Sequence, residues 1–137
     1  MKLAQPRLLI TDDDANLRET LKTLLEERGY ATVAAEDGEQ AINIVRHETI
    51  HIVLLDMHMP RLTGLETLQE VKRLKALLPC ILMSAELDDQ IIERAKQIAF
   101  DILAKPFSFR QVETTLQRAL QACYHWPNLA DEAHADE

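Results

Sequence analysis

Residues 47–60, HETIHIVLLDMHMP, decide the fold. The first five fit H-E-x-x-H, a spacing that on a helix brings two histidines and a glutamate to one face for zinc. Read the other way, Ile52–Leu55 is an unbroken β-prone apolar run that ends at Asp56. The readings exclude each other, because the zinc face needs a helix that continues through Ile50 and His51. The preceding helical stripe of Ala41, Ile44 and Val45 stops before His47, and Ile50 with the run after it favours extended chain. His47 is therefore expected at a helix end and His51 at the start of a strand, two surface histidines flanking a turn with their rings apart. The remaining histidines, His58, His125 and His134, have no supporting spacing for a third ligand. The strand reading stands.

Working outward, the same β-rich signature recurs at Leu8–Ile10, Ala31–Ala34, Ile81–Met83 and Ile102–Ala104. Helical spacing fills the intervals. Leu17, Leu21, Leu24 and Leu25 make one stripe, and Leu65, Leu68 and Val71 another, with Thr63-Gly64 near its start. Ile91, Ala95, Ile98 and Ala99 make a further stripe, as do Val112, Leu116, Ala119 and Leu120. Gly29 is placed to end the first helix. Strand then helix, five times over, with strands that lack polar alternation, predicts a parallel sheet covered on both faces. The expected fold is a doubly wound (βα)5 three-layer α/β domain.

The chain has 137 residues, 47% of them apolar and 28% charged, which suits one globular domain with a proper core. That domain is expected over residues 5–123, with an acidic, frayed tail over 124–137. A net charge of -8 and the lack of a basic block argue against nucleic acid or an anionic membrane as a direct partner. The apolar run at the start is too short for a signal peptide or a membrane span. Cys80 and Cys123 read as buried thiols of a reducing compartment, so the cytoplasm is the expected location.

Asp56 ends what reads as the central strand, and ligands of open α/β sheets bind beyond the carboxyl ends of the strands. The other strands deliver polar groups to that same edge: Asp12 and Asp13 in TDDD, Ser84 in MSAE, Lys105 in AKPF. A close carboxylate pair costs about 4 kcal/mol at 4 Å with an effective dielectric near 20. One lysine cannot neutralise three carboxylates, whereas a hard divalent cation can, and an all-oxygen donor set favours Mg²⁺. Asp56 would then be an oxygen nucleophile toward phosphorus, with Lys105 and Ser84 stabilising the transferring oxygens. Taken singly, these residues have plainer roles. Asp14 is most simply a helix N-cap, Asp12 or Asp13 could serve the helix dipole, Ser84 is a common strand-end hydroxyl and Lys105 precedes a turn proline. Their convergence on one edge is what favours chemistry.

With these residues in view, the sequence resembles a response-regulator receiver domain of bacterial two-component signalling, over Pro6 to about Cys123. The motifs that carry the resemblance are Asp12-Asp13, DMHMPRLTGLE after the third strand, MSA after the fourth and KPF after the fifth. It implies strand order 2-1-3-4-5 and Asp56 as phosphoacceptor from a sensor histidine kinase, a phosphotransfer protein or a small phosphodonor. It further implies Mg²⁺ held by Asp12, Asp13, Asp56 and the backbone carbonyl of His58, with Lys105 paired to the acceptor and Ser84 moving toward the phosphoryl group. The Lys105–Pro106 bond would be cis. The switch would shift the face of helix 4, strand 5 and helix 5, which would also be where two copies pair. Departures are Ile102, where the family usually has an aromatic, and Ile98, where a glycine is common. His58 and Glu86 fill positions that tune phosphoryl lifetime in the family, and Glu86 could repel water or order it.

Three other readings compete. A pseudo-receiver would bind partners without phosphorylation. An aspartate-nucleophile phosphatase would need D-x-D where this chain has Asp-Met-His, so His58 would have to serve as acid–base. A flavodoxin would need amides and hydroxyls where TDDDAN is anionic. The downstream effector is not legible. AFDILAKPF resembles receivers of enhancer-binding activators, and the chain reads as a stand-alone regulator or a piece of a longer one.

Overall fold

A computed structural model describes residues 5–85 and 88–126. Five strands, β1 (Arg7–Thr11), β2 (Ala31–Ala35), β3 (Ile52–Asp56), β4 (Cys80–Ser84) and β5 (Asp101–Ala104), alternate with five helices. These are α1 (Ala15–Glu27), α2 (Gly38–His47), α3 (Gly64–Leu74), α4 (Asp89–Lys96) and α5 (Phe109–Tyr124). The sheet is parallel in the order β2-β1-β3-β4-β5, as expected.

Strand alternation divides the core. Leu9, Val53, Leu55 and Leu82 face Val45, Leu68, Val71 and Ala95 of α2, α3 and α4. Leu8, Ile10, Ile52, Leu54, Ile81 and Met83 face α1 and α5, against Leu21, Leu25, Val112 and Leu116. Both faces of β3 and β4 are thus buried, which is why their sequences read as unbroken apolar runs. Asp14 caps α1 by accepting from the Asn16 and Leu17 amides, and Gly29 follows its end at φ 97°, a conformation glycine adopts without strain.

Three expectations need correction. The stripe Ile91–Ala99 is not one helix: α4 ends at Lys96, and of its residues only Ala95 is buried. Ile98 and Ala99 pack on the core from the turn that follows, because the Phe100 amide must reach the Cys80 carbonyl (2.8 Å) to start the β4–β5 ladder. Cys80 is buried, and burial pushes its thiol up to about 12. Cys123 is exposed, because α5 has there reached the sheet's amino edge and Tyr124 takes the inward position.

His51 is the third correction. It is no surface residue but half-buried, its Nδ1 accepting the Arg7 amide at 2.9 Å. Its ring stands edge-on to Tyr124 (5.4 Å) and Trp126 (4.9 Å), and the Tyr124 hydroxyl donates to its carbonyl at 2.7 Å. Burial lowers its pKa, in keeping with a ring nitrogen that accepts. His47 instead lies exposed, with Nδ1 2.9 Å from the Asn43 carbonyl of its own helix, so the two histidines share no site. Packing therefore runs through Trp126, past the boundary expected at Cys123; residues 127–137 lie outside the described residues. Trp126→Ala should cost about 2 kcal/mol of unfolding free energy in a urea titration. An unchanged midpoint would show that the aromatic cluster adds nothing.

Candidate functional site

The site is assembled by strand ends. β1 stops at Thr11, one residue before Asp12; β3 ends in Asp56, β4 in Ser84, and β5 one residue before Lys105. Parallel register lines these ends up, Thr11 beside Leu55, Asp56 beside Met83 and Ser84 beside Ala104. The apolar-to-polar change at each strand end is local, and the sheet makes it common to one rim.

Oxygens of Asp12, Asp13 and Asp56 lie within 4.8 Å of one another, the only group of three or more acidic, histidine or cysteine ligands so placed among the described residues. Lys105 Nζ sits 3.3 Å from Asp12 Oδ2 and 3.3 Å from Asp56 Oδ1. The side chains of Asp12 and Asp56 are 0% and 4% exposed, whereas that of Lys105 is 23% exposed. Asp13 stands at the exposed rim. The Lys105 amide donates to the Ser84 carbonyl at 2.7 Å, and the Lys105–Pro106 peptide is cis. Ser84 itself is buried. The His58 amide donates to Asp56 Oδ1 at 3.3 Å, while its side chain is exposed. Glu86 lies outside the described residues.

The electrostatics follow. Burial, then the charge of Asp12, raises Asp56 to about 6, against the opposing pull of the His58 amide and Lys105. Burial works to lower Lys105, but Asp12 and Asp56 outweigh it and the ammonium is held above its ordinary value. One ammonium against three carboxylates leaves excess negative charge on an all-oxygen donor set. That is the environment a hard divalent cation fits.

A stability prediction follows from the sign. An acid whose folded pKa (about 6) exceeds its ordinary 3.8 adds stability below the lower value and loses it as pH rises through the higher. Two units correspond to about 3 kcal/mol. Without divalent cations, Asp56→Asn should be more stable than wild type by up to that amount at pH 8, and the gap should close toward pH 4. Denaturant titrations across that range measure it; a gap independent of pH would contradict the raised pKa.

Two residues escaped the sequence reading. A Cβ on Gly64 would lie 2.3 Å from the Asp56 carbonyl oxygen and 2.5 Å from Met57 Cα, so only glycine lets α3 start against the loop that follows the acid. The Gly64 amide bonds the Met57 carbonyl there at 3.0 Å, and the Thr63–Glu66 capping box fixes the helix start. Arg18 is the other. It is buried and donates to the Asp12 carbonyl at 2.7 Å. Its signal was its position, on the same inward stripe as Leu21 and Leu25.

Similarity to known proteins bears on the domain as a whole. The family model for the response regulator receiver domain matches residues 8–117. The transcriptional regulatory protein ZraR of Klebsiella oxytoca is 36% identical over 117 residues, 85% of this chain and 26% of that protein. The regulatory protein AtoC of Escherichia coli K12 is 34% identical over 116 residues, 84% of this chain and 25% of that protein. The chain thus spans about a quarter of the length of these curated relatives. The chemotaxis protein CheY4 of Vibrio cholerae superposes with a TM-score of 0.80 at 27% identity, covering 85% of this chain and 100% of that one. A CheY-like receiver domain protein of Methanospirillum hungatei JF-1 shares the fold, with a TM-score of 0.85 at 22% identity over 87% of this chain and 96% of that one.

Proposed function

This chain belongs to the response regulator receiver domain family, and from that premise we propose that it is a switch thrown by phosphorylation of Asp56. Receiver domains are regulatory modules rather than enzymes in the ordinary sense. The observation that carries the proposal is the bridge of Lys105 to both buried carboxylates, at 3.3 Å each, on a rim with a third acid.

A raised but still sub-neutral pKa leaves Asp56 ionised at pH 7 once cations offset its neighbours. One carboxylate oxygen forms the new O–P bond as the bond from phosphorus to the donor's imidazole nitrogen breaks. The electron pair goes to that leaving imidazole, which takes up a proton. Asp12, Asp13, Asp56 and the His58 backbone carbonyl are the groups that would hold Mg²⁺, which when bound supplies charge to offset the phosphoryl oxygens. The Lys105 ammonium leaves its carboxylate partners for a phosphoryl oxygen, and the Ser84 hydroxyl donates to another. The donor is a sensor histidine kinase or phosphotransfer protein, or a small phosphodonor, and the setting is the cytoplasm. Among the described residues no helix is long and apolar enough to cross a membrane.

The response is read out on the α4–β5–α5 face, where two copies would also pair. Ile102 packs on the core with no ring to swing, so the movable part is α4, of whose residues only Ala95 is buried. The phosphatase alternative needs the His58 ring as acid–base, yet that side chain is exposed and only its amide reaches Asp56. The test is acetyl phosphate with Mg²⁺, read by intact mass. A single adduct, lost on chelation, is expected; no adduct under these conditions would favour a pseudo-receiver that only binds partners.

A further inference from the structure

We infer that Arg18 is a positioning residue for the cation site, its guanidinium fixing the peptide that joins Asp12 to Asp13. The inference rests on the cation reading of that loop. Arg18 is 9% exposed, a burial that charged side chains rarely reach unpaired. With Leu21 and Leu25 it falls at i, i+3, i+7 on the inward face of α1. Nη1 donates to the Asp12 carbonyl at 2.7 Å, and Nη2 lies 3.9 Å from Glu36.

The target of that bond gives it meaning. The Asp12 carbonyl is half of a planar peptide group whose other half is the Asp13 amide. Its orientation sets the directions in which both acidic side chains leave the backbone. Asp12 is pinned elsewhere too: its amide donates to the Ala35 carbonyl (3.2 Å), its Oδ1 accepts the Asp14 amide (2.9 Å), and Oδ2 meets Lys105 (3.3 Å). Asp13 is exposed and its side chain makes no hydrogen bond among the described residues. Two bonds thus restrain the backbone of Asp13, the Asp14 amide on the peptide after it and the grip of Arg18 on the peptide before it, and only the second comes from another element of the fold.

Charge and position predict opposite signs, which makes the inference decidable. A guanidinium on the backbone of the acidic loop brings positive charge to it and opposes a divalent cation there, so losing its charge alone would tighten Mg²⁺ binding. Losing a positioning bond would weaken it. Partners that orient metal ligands are typically worth about tenfold or more in affinity.

The experiment is calorimetric titration of Mg²⁺ alone into the full chain, with melting temperatures alongside, for wild type, Arg18→Gln, Arg18→Lys and Val71→Ala. Val71 is a buried α3 residue outside the site. Arg18→Gln should bind Mg²⁺ about tenfold more weakly. Arg18→Lys, which keeps the charge but loses the planar fork, should fall between. Val71→Ala should melt lower with unchanged affinity. Wild-type or tighter binding in Arg18→Gln overturns the inference, and if that variant does not fold, wild-type binding in Arg18→Lys does so. A loss in Val71→Ala equal to that in Arg18→Gln also overturns it, since affinity would then track general loosening. Absence of Mg²⁺ binding in the wild type overturns the cation reading beneath it instead.

Discussion

Lys105→Met slows formation of the phosphate adduct by about a hundredfold or more while Mg²⁺ binds as tightly as before, or more tightly. The ammonium lies 3.3 Å from both buried carboxylates, so before phosphorylation it is a competitor for the charge that Mg²⁺ would neutralise. During transfer it becomes the partner of an oxygen that gains charge in the transition state. Removing one such preorganised donor costs about 10²–10³ in rate. The two consequences differ in sign, which separates a catalytic role from mere loss of fold. Adduct formation followed by intact mass at saturating Mg²⁺, with Mg²⁺ affinity measured independently, reads both. Equal losses of rate and affinity would mean that Lys105 only holds the pocket together.

Gly64→Ala is expected to disturb the site more than Gly38→Ala, because its added methyl group meets backbone. The new Cβ would sit 2.3 Å from the Asp56 carbonyl oxygen and 2.5 Å from Met57 Cα, and neither can rotate away as a side chain would. Relief requires the first turn of α3 or the chain after Asp56 to move. Overpacking of this kind costs about 3 kcal/mol or more. A displacement near 1 Å at a reacting group costs about a hundredfold in rate. Gly38→Ala is the matched control. Its Cβ would also be too close, at 2.2 Å, but the neighbour is Thr67 Oγ1, a side-chain atom. That variant should lose stability, about 1–2 kcal/mol, and keep the rate of adduct formation. If Gly64→Ala labelled at the wild-type rate, the close approach would have no bearing on the site.

The outline of the site was legible because each of its residues stands where a β-rich apolar run gives way to polar chain. Asp56 after IVLL, Ser84 after CILM and Lys105 after ILA all follow that rule, and parallel register does the rest. Residues whose role is a contact across the fold were not legible. Nothing near Gly64 in sequence tells that Asp56's own backbone lies against it. His51 looked like a surface residue beside a turn because its partners come from β1 and from the last residue of α5, 44 and 73 residues away. Arg18 was passed over because its place on the inward stripe of α1 does not by itself tell that its guanidinium reaches a buried carbonyl. The stripe through Ile98 and Ala99 failed for a related reason. Apolar spacing records which residues are inward, and a turn packed on the core satisfies it as well as a helix does.

Borohydride reduction of the acetyl-phosphate-treated protein, followed by peptide mapping, tests the acceptor most directly. An acyl phosphate is reduced to an alcohol, so one aspartate becomes homoserine and its position can be read. Conversion at Asp56 alone, in samples with Mg²⁺ and not in chelated ones, is the expected result. Conversion at Asp12, at Asp13 or nowhere would contradict the claim that this edge of the sheet exists to make Asp56 reactive.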